Sequence, residues 1–246
     1  MLVMGAVMAA GMVSIGISGD YVYFGATHDT LRLGEMLMLA PAAGIFGGLV
    51  GGLFSRLLIV FSENRTPWVK RLRNRPVVFA VGCGAVVAVM GLLTHDATWG
   101  TGYAMTRQMI EGHGDGGLPL FGLAKFATTM ATALSGAPGG IFAPSLSTGA
   151  GLGQMLASLF PEHPAGAVVL LGMAGYFVGV VRAPLTAVII IMETTASRGM
   201  IVPLFATALI ADFVSAQICP QKLYHALSRG FLLPKGRVGG RIPSQP

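Results

Sequence analysis

The chain has 246 residues, of which 53% are hydrophobic and only 11% charged, with a mean hydropathy of +0.71. A water-soluble core of this size would not need so much apolar surface, so the bilayer is the solvent that this composition fits. The formal net charge of +6 does not point to nucleic acid, because the basic residues stand beside apolar spans, as topology signals do.

A helix covers ~30 Å of hydrocarbon with about 20 apolar residues at ~1.5 Å each. Apolar stretches run over 1–17, 36–61, 77–93, 118–134, 140–160, 165–181, 183–193 and 200–218, and all read as helices by length and composition. The first has no basic n-region and leads straight into further spans, so it reads as a transmembrane helix and not as a signal peptide. The stretch 183–193 is too short to cross alone, so broken or re-entrant helices are expected. The 36 Gly and 14 Pro agree: Gly lets membrane helices pack backbone to backbone, and breaks at Gly or Pro leave half-helices whose ends face a protected cavity.

The connections carry the orientation. Between 62 and 76 stand Arg65, Lys70, Arg71, Arg73 and Arg75 against Glu63 alone, and from 222 onward Lys222, Arg229, Lys235, Arg237 and Arg241 have no acidic neighbour. Both segments read as cytoplasmic by the positive-inside rule. The segment 94–118, with Asp96, Glu111 and Asp115 against Arg107, reads as a loop on the opposite side. Cys83 in an apolar span and Cys219 beside Pro220 form neither a disulfide framework nor a metal-ligand spacing, and read as small buried residues. There is no internal repeat, so the chain reads as one membrane domain over 1–233 with a short, disordered cytoplasmic tail over 234–246.

The segment richest in chemistry is Ser135-Gly136-Ala137-Pro138-Gly139-Gly140-Ile141-Phe142-Ala143-Pro144, a Gly/Pro loop that leads into an apolar run to Phe160. The first turn of a helix leaves N–H groups without intrahelical acceptors, and the helix dipole makes that end partly positive. Pro144 suits a first turn, where its missing N–H is not needed, and the glycines let the loop expose the amides of Ile141 and Phe142. An anion is the natural partner of such an end. No lysine or arginine occupies the loop, and partial charges hold an ion less tightly than a full charge in low dielectric, which permits release. Taken alone, the same cluster also reads as a place of tight helix packing.

Gly140-Ile141-Phe142-Ala143-Pro144 resembles the G-x-F-x-P anion-site motif of the CLC family of chloride channels and chloride/proton antiporters. Further blocks resemble that family in the same order: Gly172-Met173-Ala174-Gly175, Val181-Arg182-Ala183-Pro184-Leu185-Thr186, Glu193-Thr194-Thr195, and Lys222-Leu223-Tyr224. The resemblance implies an all-α polytopic membrane bundle with re-entrant half-helices, equivalent to the second inverted repeat of a CLC-type fold plus one preceding helix. It implies chloride as the transported ion, with no organic cofactor, and a homodimer. It further implies an anion site at Gly140, Ile141, Phe142 and Ala143, with the Tyr224 hydroxyl as a further ligand. Without the upstream motif, Tyr224 would read as an interfacial aromatic anchor beside the basic tail.

The family's site draws on both repeats. This sequence has no G-S-G-I-P segment for the serine ligand and no G-[KR]-E-G-P segment for the gating glutamate, so the resemblance implies an N-terminally truncated chain that needs a missing N-terminal half. Channel and antiporter both stay open, as do nitrate and fluoride beside chloride. The alternative is a non-conducting structural or regulatory half-subunit.

Other polar residues fit structural roles more readily. Arg182 between two apolar runs suits a carboxylate or helix-end carbonyls, Asp212 a polar helix contact, and Lys125 a solvated or re-entrant face from which it snorkels. Glu193 is structural by the resemblance. Gly16-Ile17-Ser18-Gly19 matches the G-x-S-G of rhomboid-type intramembrane serine proteases. All five histidines fall in or next to expected loops, however, so the serine lacks a base, and the chain reads as no enzyme.

Overall fold

The computed structural model describes residues 2–19, 22–27, 29–62, 74–112, 118, 120–137 and 139–228. Basic residues Arg65, Lys70, Arg71, Arg73 and Arg229, together with Pro138 and the tail over 234–246, lie outside the described residues.

The described residues are helical and carry no strand. The helices are α1 (Leu2–Ser18), α2 (Leu33–Ser62), α3 (Pro76–Leu93), α4 (Tyr103–Glu111), α5 (Phe121–Leu134), α6 (Phe142–Leu159), α7 (Ala165–Val181), α8 (Pro184–Thr195), α9 (Ile201–Ile218) and α10 (Leu223–Ser228), with a 3₁₀ turn at Arg198–Met200. Of these, α2, α3 and α9 are long and apolar enough to cross a membrane. At 12 residues, α8 rises only ~18 Å and cannot cross, as the sequence led one to expect.

The core is built around α7, in which every residue from Gly166 to Val180 is buried. α2, α6 and α9 surround it. Their approach is close because the facing positions are glycine. A side-chain carbon at Gly51 on α2 would lie 2.5 Å from the Tyr176 carbonyl oxygen, and one at Gly153 on α6 would lie 2.7 Å from Val169 Cα. Membrane helices gain little from mutual burial of apolar side chains, so such small-residue contacts and the hydroxyl bonds that accompany them hold the bundle. Ser55 Oγ donates to the Val180 carbonyl at 3.0 Å, Ser215 Oγ to the Gly179 carbonyl at 2.6 Å, and Thr207 Oγ1 to the Ala40 carbonyl at 3.3 Å. These bonds tie α2 and α9 to α7 and to each other.

Two short helices were not legible in the sequence. The segment expected as a loop over 94–118 contains α4, which starts at Gly102 (φ 77°) and ends at Gly112 (φ 68°), both left-handed. Its buried residues Thr106, Met109 and Ile110 recur at helical spacing, but the segment is polar overall. The second, α10, is six residues long and carries Tyr224.

Candidate functional site

Four of the five expected anion-site residues, Gly140, Ile141, Phe142 and Ala143, lie where the turn from α5 leads into α6. Gly136 takes φ +81°, a left-handed conformation that glycine adopts without strain, and reverses the chain. Ser135 Oγ braces the turn, donating to the Thr132 carbonyl at 2.8 Å and accepting from the Ala137 amide at 3.2 Å. α6 then begins at Phe142 with Ile141 as N-cap residue and no side-chain cap. Among the described residues, the amides of Ile141 and Phe142 donate to no backbone acceptor. Among the described residues this helix end is therefore open, with its partial positive charge directed into the turn.

Packing fixes that end. The Phe142 ring meets Phe177 of α7 edge-on, with centroids 4.9 Å apart. Ile141 packs against a buried cluster that includes Phe54, Met130, Tyr176 and Leu223. A cavity of about 950 Å³ borders the turn, with Phe61, Pro76, Lys125, Thr129, Gly140 and Ile141 among its lining residues. Gly140 has open space where a side chain would stand.

Tyr224 is brought near this cluster, though less directly. Its neighbour Leu223 is fully buried in the cluster, and Leu227 lines the cavity. The Tyr224 side chain itself is 50% exposed and is not among the cavity-lining residues.

α10 is held by Arg182. This residue caps α7 in a left-handed conformation (φ 57°). Its Nε donates to Asp212 Oδ1 of α9 at 3.2 Å, and its Nη1 to the carbonyls of Cys219 and Pro220 at 3.2 and 3.1 Å. Both partner types expected for Arg182 are present, and Asp212 is its carboxylate. A cation here also complements the C-terminal dipole of α7.

Lys125 departs from expectation. It does not snorkel: it is 1% exposed, and Nζ donates to the carbonyls of Thr98 and Gly100, both at 2.7 Å. The turn between α3 and α4 folds over α5 and supplies those acceptors, an arrangement that a one-dimensional reading of α5 cannot contain. Cys83 and Cys219 are buried free thiols, as expected. Glu193 is exposed on α8. Ser18 ends α1, a helix without buried residues, so among the described residues nothing encloses a protease-like site there.

The chain matches the family described as voltage gated chloride channel over residues 1–216. It belongs to the CLC family. The H(+)/Cl(-) exchange transporter ClcA of Yersinia pestis is 30% identical over 221 residues, covering 84% of this chain and 46% of the relative. ClcA of Salmonella agona is 31% identical over 198 residues, covering 78% and 42%. A slow cyanobacterial Cl⁻/H⁺ antiporter superposes with a TM-score of 0.67 at 23% identity, covering 86% of this chain and 50% of the antiporter. A eukaryotic CLC transporter superposes with a TM-score of 0.60 at 25% identity, covering 81% and 35%. The chain thus spans about half the length of the relatives it matches. Those relatives are named as transporters, in line with the non-enzyme reading, and the apolar helices of this CLC chain fit an integral membrane protein.

Proposed function

We propose that this CLC chain takes part in transmembrane chloride transport, holding the dehydrated anion at the open start of α6. The Ile141 and Phe142 amides donate to the anion. Gly140 and Ala143 shape the backbone around it, and the Tyr224 hydroxyl completes the set on this chain. The observation that carries the reading is the helix end without a side-chain cap, whose two amides have no backbone acceptor among the described residues, beside a cavity. All the proposed ligands are neutral donors, which stabilise a halide without trapping it as a full positive charge would in low dielectric. Kinship with exchange transporters supports chloride as the ion.

The half-exposed Tyr224 and the unburied α1 favour action within a larger assembly, with a homodimer and a complementary N-terminal half as the partners. In that assembly the C-terminus and the basic 62–76 segment face the cytoplasm.

The test is chloride binding and chloride flux in proteoliposomes, for the chain alone and with a complementary N-terminal half. Tyr224→Phe should weaken chloride binding about tenfold, the size expected for a hydrogen bond to an ion. It should leave thermal stability unchanged, because the ring is half exposed. Unchanged chloride affinity and selectivity would assign Tyr224 to the interface and favour the non-conducting structural subunit.

A further inference from the structure

Three hydroxyls in neighbouring helices have no hydrogen-bond partner in the protein among the described residues: Thr129 Oγ1 on α5, Ser145 Oγ on α6 and Tyr176 Oη on α7. All three residues are more than nine-tenths buried, at 6%, 0% and 0% exposure. A helical hydroxyl has a ready solution in bonding back to its own helix. Thr128, Thr132 and Thr148 use it, donating to the carbonyls of Lys125, Thr128 and Pro144 at 3.1, 2.8 and 2.8 Å. Thr129 and Ser145 do not, and the Tyr176 hydroxyl has no such option.

The helix registers place these three groups together. α5 and α6 cross where Gly122 meets Gly151, and the Lys125 and Ser147 side chains converge on Gly102. Moving on along α5 and back along α6, Thr129 comes level with Pro144 and Ser145. α6 and α7 run antiparallel, with Gly149 on Met173 and Gly153 on Val169. One further turn brings Ser145 level with Tyr176 and Phe177, where the Phe142 ring already meets Phe177. Tyr176 in turn reaches Phe126 of α5, at 6.4 Å between centroids. The three residues therefore stand at one level of the bundle, within about a helical turn, roughly 5.4 Å, next to the Gly140–Pro144 turn.

The electrostatics of the layer select its occupant. The start of α6 contributes partial positive charge. Lys125 stands one turn from Thr129 on the same side of α5 and lines the same cavity. Its buried ammonium meets carbonyls and makes no ion pair among the described residues. A buried cation without a carboxylate favours an anion over a neutral molecule nearby.

We infer that Thr129, Ser145 and Tyr176 form a second, buried halide station next to the Gly140–Pro144 turn, where three neutral hydroxyls replace part of the ion's hydration shell. This rests on the proposed function only in that a halide reaches the start of α6.

The experiment measures chloride affinity of the intact chain in detergent from the chloride-dependent rise in Tm, with gluconate replacing chloride at constant ionic strength. Thr129→Val, Ser145→Ala and Tyr176→Phe each remove a hydroxyl that has no protein partner, so stability in gluconate should hold. Chloride affinity should fall about three- to tenfold in each, and Thr129→Ser should restore it. Should Thr129→Val not fold, Tyr176→Phe carries the same test. If the three variants leave affinity unchanged while Tyr224→Phe weakens it, the layer holds water only; the inference falls and the proposed function stands. If the three weaken binding and Tyr224→Phe does not, the station stands and Tyr224 loses its ligand role. A wild-type chain whose Tm ignores chloride overturns both.

Discussion

α1 and α7 are each 17 residues long, largely apolar and free of charge, and each contains three or more glycines. Yet α1 has no buried residue, while α7 is buried from Gly166 to Val180. The difference lies in what meets their glycines. Gly5, Gly11 and Gly16 of α1 face open space, whereas Gly172, Gly175 and Gly179 of α7 lie against the backbones of α6 and α2. Apolarity takes a helix into the bilayer, where a lipid tail is as good a neighbour as a leucine. Only close backbone approach and hydroxyl bonds select which helix becomes the core.

The contrast is sharpest in a matched pair of substitutions. Gly172→Val places its side chain into the Gly153 backbone, which packed helices cannot yield, and should destabilise by about 3 kcal/mol or more. Gly11→Val meets nothing and should stay within about 0.5 kcal/mol. Reversible unfolding in mixed micelles measures both, and equal effects would break the comparison.

The next largest effect is expected at the end of α7. Arg182→Ala leaves Asp212 and two carbonyls without their shared donor and should cost about 2–3 kcal/mol. It should also speed amide exchange in α10 more than in α1, because the lost bonds lead into the turn that presents Tyr224.

Lys125→Met tests whether a buried charge outside α7 matters as much as α7's own packing. It frees the carbonyls of Thr98 and Gly100 but also relieves the desolvation of an ammonium, so a loss of about 1–2 kcal/mol is expected from these opposing terms. Limited proteolysis of the 94–102 turn would report its release. A smaller loss, about 1 kcal/mol, should follow Ser215→Ala, which removes the hydroxyl bond to the Gly179 carbonyl of α7. The smallest effect belongs to α1: Ser18→Ala should change unfolding by less than about 0.5 kcal/mol. It should abolish no peptide hydrolysis, and any protease activity lost with it would revive the rhomboid-type reading.

Much of the proposed site could be named from the sequence because its chemistry is written in contiguous residues. Glycines, prolines and the first turn of an apolar helix form one run from Ser135 to Pro144, and the expectation that the Ile141 and Phe142 amides face an anion comes from that run together with the family resemblance. The partners of Arg182 were legible only by kind, since Asp212 lies 30 positions away and Cys219 and Pro220 lie 37 and 38 away. Lys125 was misread for the same reason: its acceptors come from a turn that precedes it by more than 20 positions. α4 is not legible in the sequence because its buried face holds only Thr106, Met109 and Ile110 in a polar segment.

By itself, the sequence determined the solvent and the approximate helix boundaries, including a helix start near Phe142, because hydropathy and chain length are local properties. Only the tertiary structure decided that α7 is the core and α1 has no buried residue, that Arg182 holds the approach to α10, and that Thr129, Ser145 and Tyr176 are buried at one level with unpartnered hydroxyls. Those facts depend on the register between antiparallel helices. Register is set by which glycines meet across helices far apart in the chain, and no single segment contains both sides of that contact.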